Sequence, residues 1–243
     1  MTTQPATTGR GAWTRRGFPI NPGATQGFTN TYRRHSTAPT TGSQSSLGLD
    51  YEAVHHGVRA IQDLLNILVD GLFGPKTEAA VKAFQAVSAP PSDGIVGTVT
   101  MKALLEPTLA AMSNQYKIPD KLLHGLVRQE SNRDPGAVGY TTPSDRGLVQ
   151  INLAAHTNIT MQQASIPSFA LDWAGNRMRT QHDRYRARTD YVTSKSGQDR
   201  LAWDCAVAYH NAPAWAEQWA RTGTPPNERI ANYVKSVRTL GAA

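Results

Sequence analysis

Apolar residues recur along much of this chain with the period of a helix. In VRAIQDLLNILV (58–69), Val58, Ile61, Leu64, Leu65 and Leu68 fall on one stripe. Asp70-Gly71 then breaks the pattern. TEAAVKAFQ (77–85) predicts a second helix with Ala80, Val81 and Phe84 inward. Pro75 after Gly74 suits its start, because a proline at the first helical position loses no needed hydrogen bond. TMKALLEP predicts a third helix that stops at Pro107. Further on, LAAMSNQY, PDKLLHGLVRQES, SFALDWAGNRMRTQHDRYR, DRLAWDCAVAYHN and PNERIANYVKSVR read as helices joined by polar loops. In PDKLLHGLVRQES, Pro119 and Asp120 suit the first turn. The expected fold class is mainly α.

The first 49 residues lack this periodicity. Thr, Ser, Gly and Pro make up 26 of them, which predicts an extended or disordered leader. Its aromatics Trp13, Phe18, Phe28 and Tyr32 alternate with arginines, so docking is the alternative to a solvated tail. Three zones follow from these patterns: 1–50, 51–107 and 108–243.

The middle zone contains a repeat. D-G-L-F-G-P-K-T at 70–77 recurs as D-G-I-V-G-T-V-T at 93–100, with Asp, both glycines and Thr in register. The glycines permit turns that a Cβ forbids. The apolar pair between them is expected to plug into the helices, and the Thr to cap the helix that follows. No paired acid and base stands at catalytic spacing, so the zone reads as a binding unit. With Ile61-Gln62, Leu65-Asn66, Asp70 to Gln85 and Asp93 to Thr100, residues 58–104 resemble the peptidoglycan-binding domain 1 family. The resemblance implies a small three-helix module that binds bacterial cell-wall peptidoglycan.

A carboxylate marks the last zone. Leu122, Leu123, Leu126 and Val127 predict a buried helix face, and Glu130 shares it, four residues after Leu126. Partial burial and the negative end of the helix dipole both raise a carboxyl pKa there. A glutamate protonated near neutral pH can serve as a general acid. On position alone, a solvated last-turn glutamate remains the alternative.

The residues that follow resemble the soluble lytic transglycosylase family, whose signature is E-S-x-x-x-P-x-A followed by G-L-M-Q. Here these are Glu130, Ser131, Pro135, Ala137 and Gly147-Leu148-Val149-Gln150. The resemblance implies a lysozyme-like, largely helical catalytic domain that cleaves the bond between N-acetylmuramic acid and N-acetylglucosamine. It makes Glu130 the acid/base and Gln150 a substrate-binding residue. Ser131, Asn152, Tyr209 and Asn211 join the candidate substrate-binding set. Ala208-Tyr209-His210-Asn211-Ala212-Pro213 stands where the family has Tyr-Asn-Ala-Gly, and His210 reads as structural. Tyr209 shares a face with Leu201 and Cys205 and is expected to pack inward.

The loop from Ala137 to Gly147 is two residues longer than the family pattern. Gly139 aligns with a family serine, and Thr141, Thr142 or Ser144 are the substitutes in reach. Asp145 in this loop is a further candidate. It is either a loop residue that caps or pairs with Arg146 or Arg133, or a second carboxylate that positions water.

Charge and composition narrow the classes. The formal charge is +7, divided as +4 over 1–50, −2 over 51–107 and +5 over 108–243. A basic last zone favours adhesion to an anionic wall. A nucleic-acid binder has only the pI in its favour, so no nucleic-acid partner is expected. The arginines at 177, 179, 184, 186 and 188 scatter around the helical wheel and read as a solvated face. Contact with anionic wall polymers or peptide carboxylates is the functional alternative. One cysteine, Cys205, rules out an intrachain disulfide. His55-His56 has no metal-binding companion motif, so neither a metal nor a cofactor is expected.

No apolar run is long enough to span a bilayer, and no secretory signal is recognisable at the N-terminus. The expectation is a phage-endolysin-like monomer, made in a host cytoplasm and acting on the wall after release or from the virion. The alternatives are a hydrolytic muramidase and an inactive wall-binding or virion structural protein.

Overall fold

The computed structural model describes residues 51–119, 121–139 and 144–242. The leader at 1–49, Asp120 of the expected helix start, and Thr141 and Thr142 lie outside the described residues. The architecture is mainly helical. Helices α1 (Tyr51–Leu64), α2 (Pro75–Ser88) and α3 (Thr98–Gln115) come first, then α4 (Leu122–Ser131). Two short strands follow, β1 (Asp145–Arg146) and β2 (Ile151–Asn152). Helices α5 (Met161–Ser165), α6 (Pro167–Ala187), α7 (Asp199–Asn211), α8 (Pro213–Thr222) and α9 (Glu228–Ala242) complete the described chain, with a 3-10 turn at Val192–Ser194. The residues cluster into two compact units. The first takes the described part of Met1–Thr108 together with Glu130–Ala170, and the second Leu109–Gln129 with Leu171–Ala243.

In the first unit, the sequence repeat is one hydrogen-bonded knot made twice. Gln62 is 1% exposed, and its amide nitrogen lies 2.7 Å from Asp70 Oδ1, 3.1 Å from the Leu72 carbonyl and 3.0 Å from Thr77 Oγ1. Its oxygen accepts the Gly71 N–H at 2.7 Å. Gln85, also 1% exposed, repeats every contact: 2.9 Å to Asp93 Oδ1, 2.9 Å to the Ile95 carbonyl, 3.1 Å to Thr100 Oγ1, and the Gly94 N–H at 2.8 Å. Asp70 and Asp93 each accept the N–H two residues on, at 2.8 Å. Gly71 and Gly94 sit at φ +77° and +76°, which the tight turn requires. Burial pushes the Asp70 carboxyl up. The Leu72 N–H and the Gln62 amide outweigh it and hold the carboxyl below its ordinary value.

Three expectations change here. Thr77 and Thr100 are not helix caps: their hydroxyls donate back to the Leu72 and Ile95 carbonyls, and the N-cap of α2 is Gly74. Leu68 is 77% exposed, because α1 ends at Leu64 and Asn66 turns the chain at φ +53°. Pro107 does not stop its helix. Buried leucines on both sides, Leu104, Leu105 and Leu109, carry α3 through it despite the lost N–H. Val81 is fully buried as expected, whereas Ala80 and Phe84 are only half-buried.

In the second unit, α4 starts later than its proline suggests. Lys121 is left-handed at φ +52° and the Leu122 N–H bonds the Pro119 carbonyl at 3.0 Å, so the helix begins at Leu122. Gly125 lets the backbone of α9 come against α4: a Cβ there would lie 1.8 Å from the Val237 carbonyl oxygen. Gly241 answers from α9, 2.6 Å from the Lys121 oxygen by the same construction. The Ser236 hydroxyl donates to Gln129 at 2.5 Å and Arg128 donates to the Leu240 carbonyl at 2.6 Å. Helix α8 escapes the periodicity, although Pro213 at its first turn and Gly223 in the left-handed C-cap are a recognisable start and stop.

Replacing Gln62 or Gln85 by Ala strands a buried glycine N–H in each case. Each variant is expected to lose about 2 kcal/mol of stability, read from its urea midpoint.

Candidate active site

Glu130 is the penultimate residue of α4 and is half-buried. The four apolar residues of its face, Leu122, Leu123, Leu126 and Val127, are each fully buried. The chain then turns sharply. Asn132 and Arg133 are left-handed, at φ +53° and +67°. Ser131 is 1% exposed, and its carbonyl accepts the Asp134 N–H at 3.1 Å. Asp134, completely buried, accepts the Gly136 N–H at 2.8 Å, and its carbonyl accepts the Ala137 N–H at 3.2 Å.

This rigid corner meets the second half of the loop backbone to backbone. The Gly147 N–H bonds the Ala137 carbonyl at 2.9 Å, and the Gly139 N–H bonds the Asp145 carbonyl at 2.9 Å. Strands β1 and β2 pair antiparallel, with Asp145 opposite Asn152 and Arg146 opposite Ile151. Between them, Leu148 and Val149 are buried and Gln150 is half-buried. Gly147 is indispensable to this turn. It sits at φ +74°, and a Cβ there would be 2.1 Å from the Ala164 carbonyl oxygen. Gln150, at φ +48°, folds its side chain back: Nε2 donates to the Gly147 carbonyl at 2.9 Å and lies 3.4 Å from that of Ala137.

Asp145 is half-buried, and its Oδ1 is buried with no hydrogen-bond partner. Burial pushes its carboxyl above the ordinary value. A hydrogen bond from Asn152 and the charge of Arg146 offset this only in part. Asn152 also accepts the Ala155 N–H at 2.8 Å, so it shapes the next turn. Ser144 is half-buried, and its carbonyl accepts the Leu153 N–H at 3.0 Å.

Glu130, Ser131, Asp145, Gln150 and Asn152 all belong to the first unit. Tyr209 and Asn211 belong to the second, on α7. Cys205 is fully buried on their helix, while Leu201 and Tyr209 are half-buried. The Arg177 guanidinium stacks 4.7 Å from the centre of the Tyr209 ring. Asn211 accepts from Arg229 at 3.3 Å, and His210 meets Trp173 edge-on at 6.1 Å. Asp134 is not in the expected set, and Arg177 enters it only as one of five arginines read together. The Asp-Pro-Gly run was a usable signal for the first, as a side chain that closes its own turn. Nothing in the helical wheel singles out the second. Among the described residues, no group of three or more His, Cys, Asp or Glu can hold a metal ion.

The duplicated polar knot lies in one stretch of the chain, and the half-buried glutamate with its glycine-locked loop lies in a later one. A model of the peptidoglycan binding domain matches residues 55–104, and one of the transglycosylase SLT domain matches residues 107–230. The second match spans more than half of the 243 residues, and the chain belongs to that family. None of the curated proteins compared with the chain matches it. It is a transglycosylase of peptidoglycan with a wall-binding module ahead of its catalytic domain.

Gly147→Ala forces either the loop or α5 to move. An ångström of displacement at a reacting geometry costs about a hundredfold in rate, and turnover of peptidoglycan should fall by that order. Asp145 gives a pH signature. Its folded pKa is raised, so the stability it contributes is present below the ordinary carboxylate pKa and lost as pH rises through the folded value. The Asp145→Asn variant should therefore gain stability relative to wild type between pH 3 and pH 7, measured by urea unfolding at both.

Proposed function

We propose that the chain cleaves the bond between N-acetylmuramic acid and N-acetylglucosamine without consuming water, with Glu130 as its single acid/base. The observation that carries this reading is the setting of Glu130: half-buried, in the last turn of α4, inside the segment that matches the transglycosylase SLT domain. The step requires Glu130 to begin protonated. Glu130 gives its proton to the glycosidic oxygen as the C1–O bond breaks. Positive charge develops on the muramic ring. The carboxylate then takes the proton of that sugar's own 6-hydroxyl, and O6 closes on C1 to give a 1,6-anhydro product.

The remaining candidates hold the substrate. With its amide nitrogen on the Gly147 carbonyl, Gln150 has its side-chain oxygen to accept from a sugar hydroxyl. Ser131, the last residue of α4, and Asn152, in β2, flank the loop that fixes this geometry. Tyr209 and Asn211 enter by the family's third motif. We divide the chain at 50 and 107, with wall binding in 51–107 and catalysis in 108–243. The module order and the lone, buried Cys205 support a phage-lysin role, with the protein made as a monomer in a reducing host cytoplasm and used against the wall. Among the described residues, no helix is long and apolar enough to cross a membrane.

Asp145 supports a second reading. A desolvated carboxylate with an unpartnered oxygen is a stronger base than usual and suits activation of a water, which would release reducing sugars.

Purified peptidoglycan digested with wild type and with Glu130→Gln separates the readings. The expected muropeptides are one water lighter than reducing ones and absent with the variant, as weighed by mass spectrometry. Reducing products would transfer the chemistry to the muramidase reading and to Asp145. Release of nothing by wild type would leave only wall binding.

A further inference from the structure

Five arginines fall between 177 and 188, and four of them find oxygens. Arg179 pairs with Asp183 at 2.7 Å, Arg184 with Glu217 at 3.0 Å and Arg188 with Asp190 at 2.9 Å. Arg186 donates to the carbonyls of Thr193 and Lys195 at 2.6 and 2.9 Å. Arg177 differs. It is half-buried, its Nε is buried with no hydrogen-bond partner, and no carboxylate pairs with it among the described residues. Its contacts are aromatic faces: Trp173, one turn back on α6, at 5.3 Å, and Tyr209 on α7 at 4.7 Å.

The Nε is covered, no counter-charge is present among the described residues, and the two rings are the contacts that hold the guanidinium, an attraction that is modest by itself. The rings hold its flat faces and fix its direction. What the arrangement lacks is a planar anion on the nitrogen edge, the geometry at which an arginine fork is strongest.

We propose that Arg177, fixed by Trp173 and Tyr209, binds a carboxylate of the peptidoglycan substrate and thereby discriminates wall glycan from neutral chitin-type glycan. This rests on the reading of Tyr209 as a substrate-binding residue of a wall-cleaving enzyme. Two groups of the wall offer that chemistry. The stem peptides carry free carboxylates, and the lactyl group of the muramic sugar is one once its stem has been removed.

The test uses the full chain carrying Glu130→Gln, so that no ligand is consumed, with and without Arg177→Gln. Calorimetry measures three soluble tetrasaccharides: alternating wall sugars bearing stem peptides, the same strand stripped of them by an amidase, and neutral chitotetraose. Arg177→Gln is expected to weaken binding of one or both carboxylate ligands about tenfold and to leave chitotetraose unchanged. Loss on the first alone assigns the stem carboxylate, loss on the second alone the lactyl carboxylate, and loss on both a general carboxylate site. Equal weakening of all three, or no change in any, would overturn the proposal. Arg177→Lys keeps the charge and most of the packing but lacks the fork. It should show the same selectivity at several-fold, which decides the matter if the glutamine variant unfolds. Failure of the wild-type chain to cleave peptidoglycan would refute the enzymatic reading by itself, and the binding ratios would still judge Arg177.

Discussion

The helix that leads to the candidate acid is held by a contact between two backbones. Gly125 in α4 lies so close to the Val237 carbonyl of α9 that a Cβ has no space, and Gly241 makes the reciprocal approach to Lys121. A glycine in a helix interior costs about 1 kcal/mol against alanine, so its presence in α4 asks for a tertiary reason. The reason is closeness. Near approach brings Gln129 to the Ser236 hydroxyl and Arg128 to the Leu240 carbonyl, so the residues just before Glu130 are anchored along the length of α9.

The loop after Glu130 uses the same device. Gly147 approaches the Ala164 carbonyl almost as closely as Gly125 approaches that of Val237, and backbone bonds from Gly147 to Ala137 and from Gly139 to Asp145 tie the loop to the corner that follows the helix. A wall-cleaving site built on irregular backbone needs such over-determination, because loops have no ladder to hold them. The wall-binding module solves a related problem with polar groups. A segment this short has little apolar volume to bury, and its two turns are held by Gln62 and Gln85, each satisfying one N–H and sharing its amide among three oxygens.

What was legible in the sequence follows from this division. Apolar faces carry a period, so Leu122, Leu123, Leu126 and Val127 were readable, and with them the place of Glu130. The repeat was readable as letters, since Asp, Gly and Thr recur at fixed offset. Its physics was not. A threonine before a helix is ordinarily a cap, and only the folded chain shows Thr77 turned back to Leu72 under a buried glutamine. Gln62 and Gln85 look like surface residues by composition, and burial at 1% is a tertiary fact. Pro107 and Leu68 failed for the same reason: helix ends depend on what lies beside them, and local propensity does not know its neighbours. Helix α8 was missed although its Pro and Gly bracket it, because its apolar stripe is built from alanine and tryptophan.

Buried polar groups therefore sort into two kinds in this protein. Gln62 and Gln85 are fully partnered. His182 is buried too, and its two ring nitrogens meet Asp183 at 3.0 Å and Asp199 at 2.9 Å while its ring stacks on Trp203 at 4.2 Å. Such groups are complete as they stand and have no bonding left to offer a ligand. Asp145 Oδ1 and the Nε atoms of Arg59, Arg128 and Arg177 are the contrary case: each belongs to an ionisable side chain and is buried without a hydrogen-bond partner. A charged atom left in that state costs free energy, and the rest of its side chain decides how much of the cost is offset. Arg128 nonetheless donates through another nitrogen to the Leu240 carbonyl and Asp145 is bonded by Asn152, whereas the contacts of Arg177 are the faces of Trp173 and Tyr209, which leaves it the least completed of these charged groups.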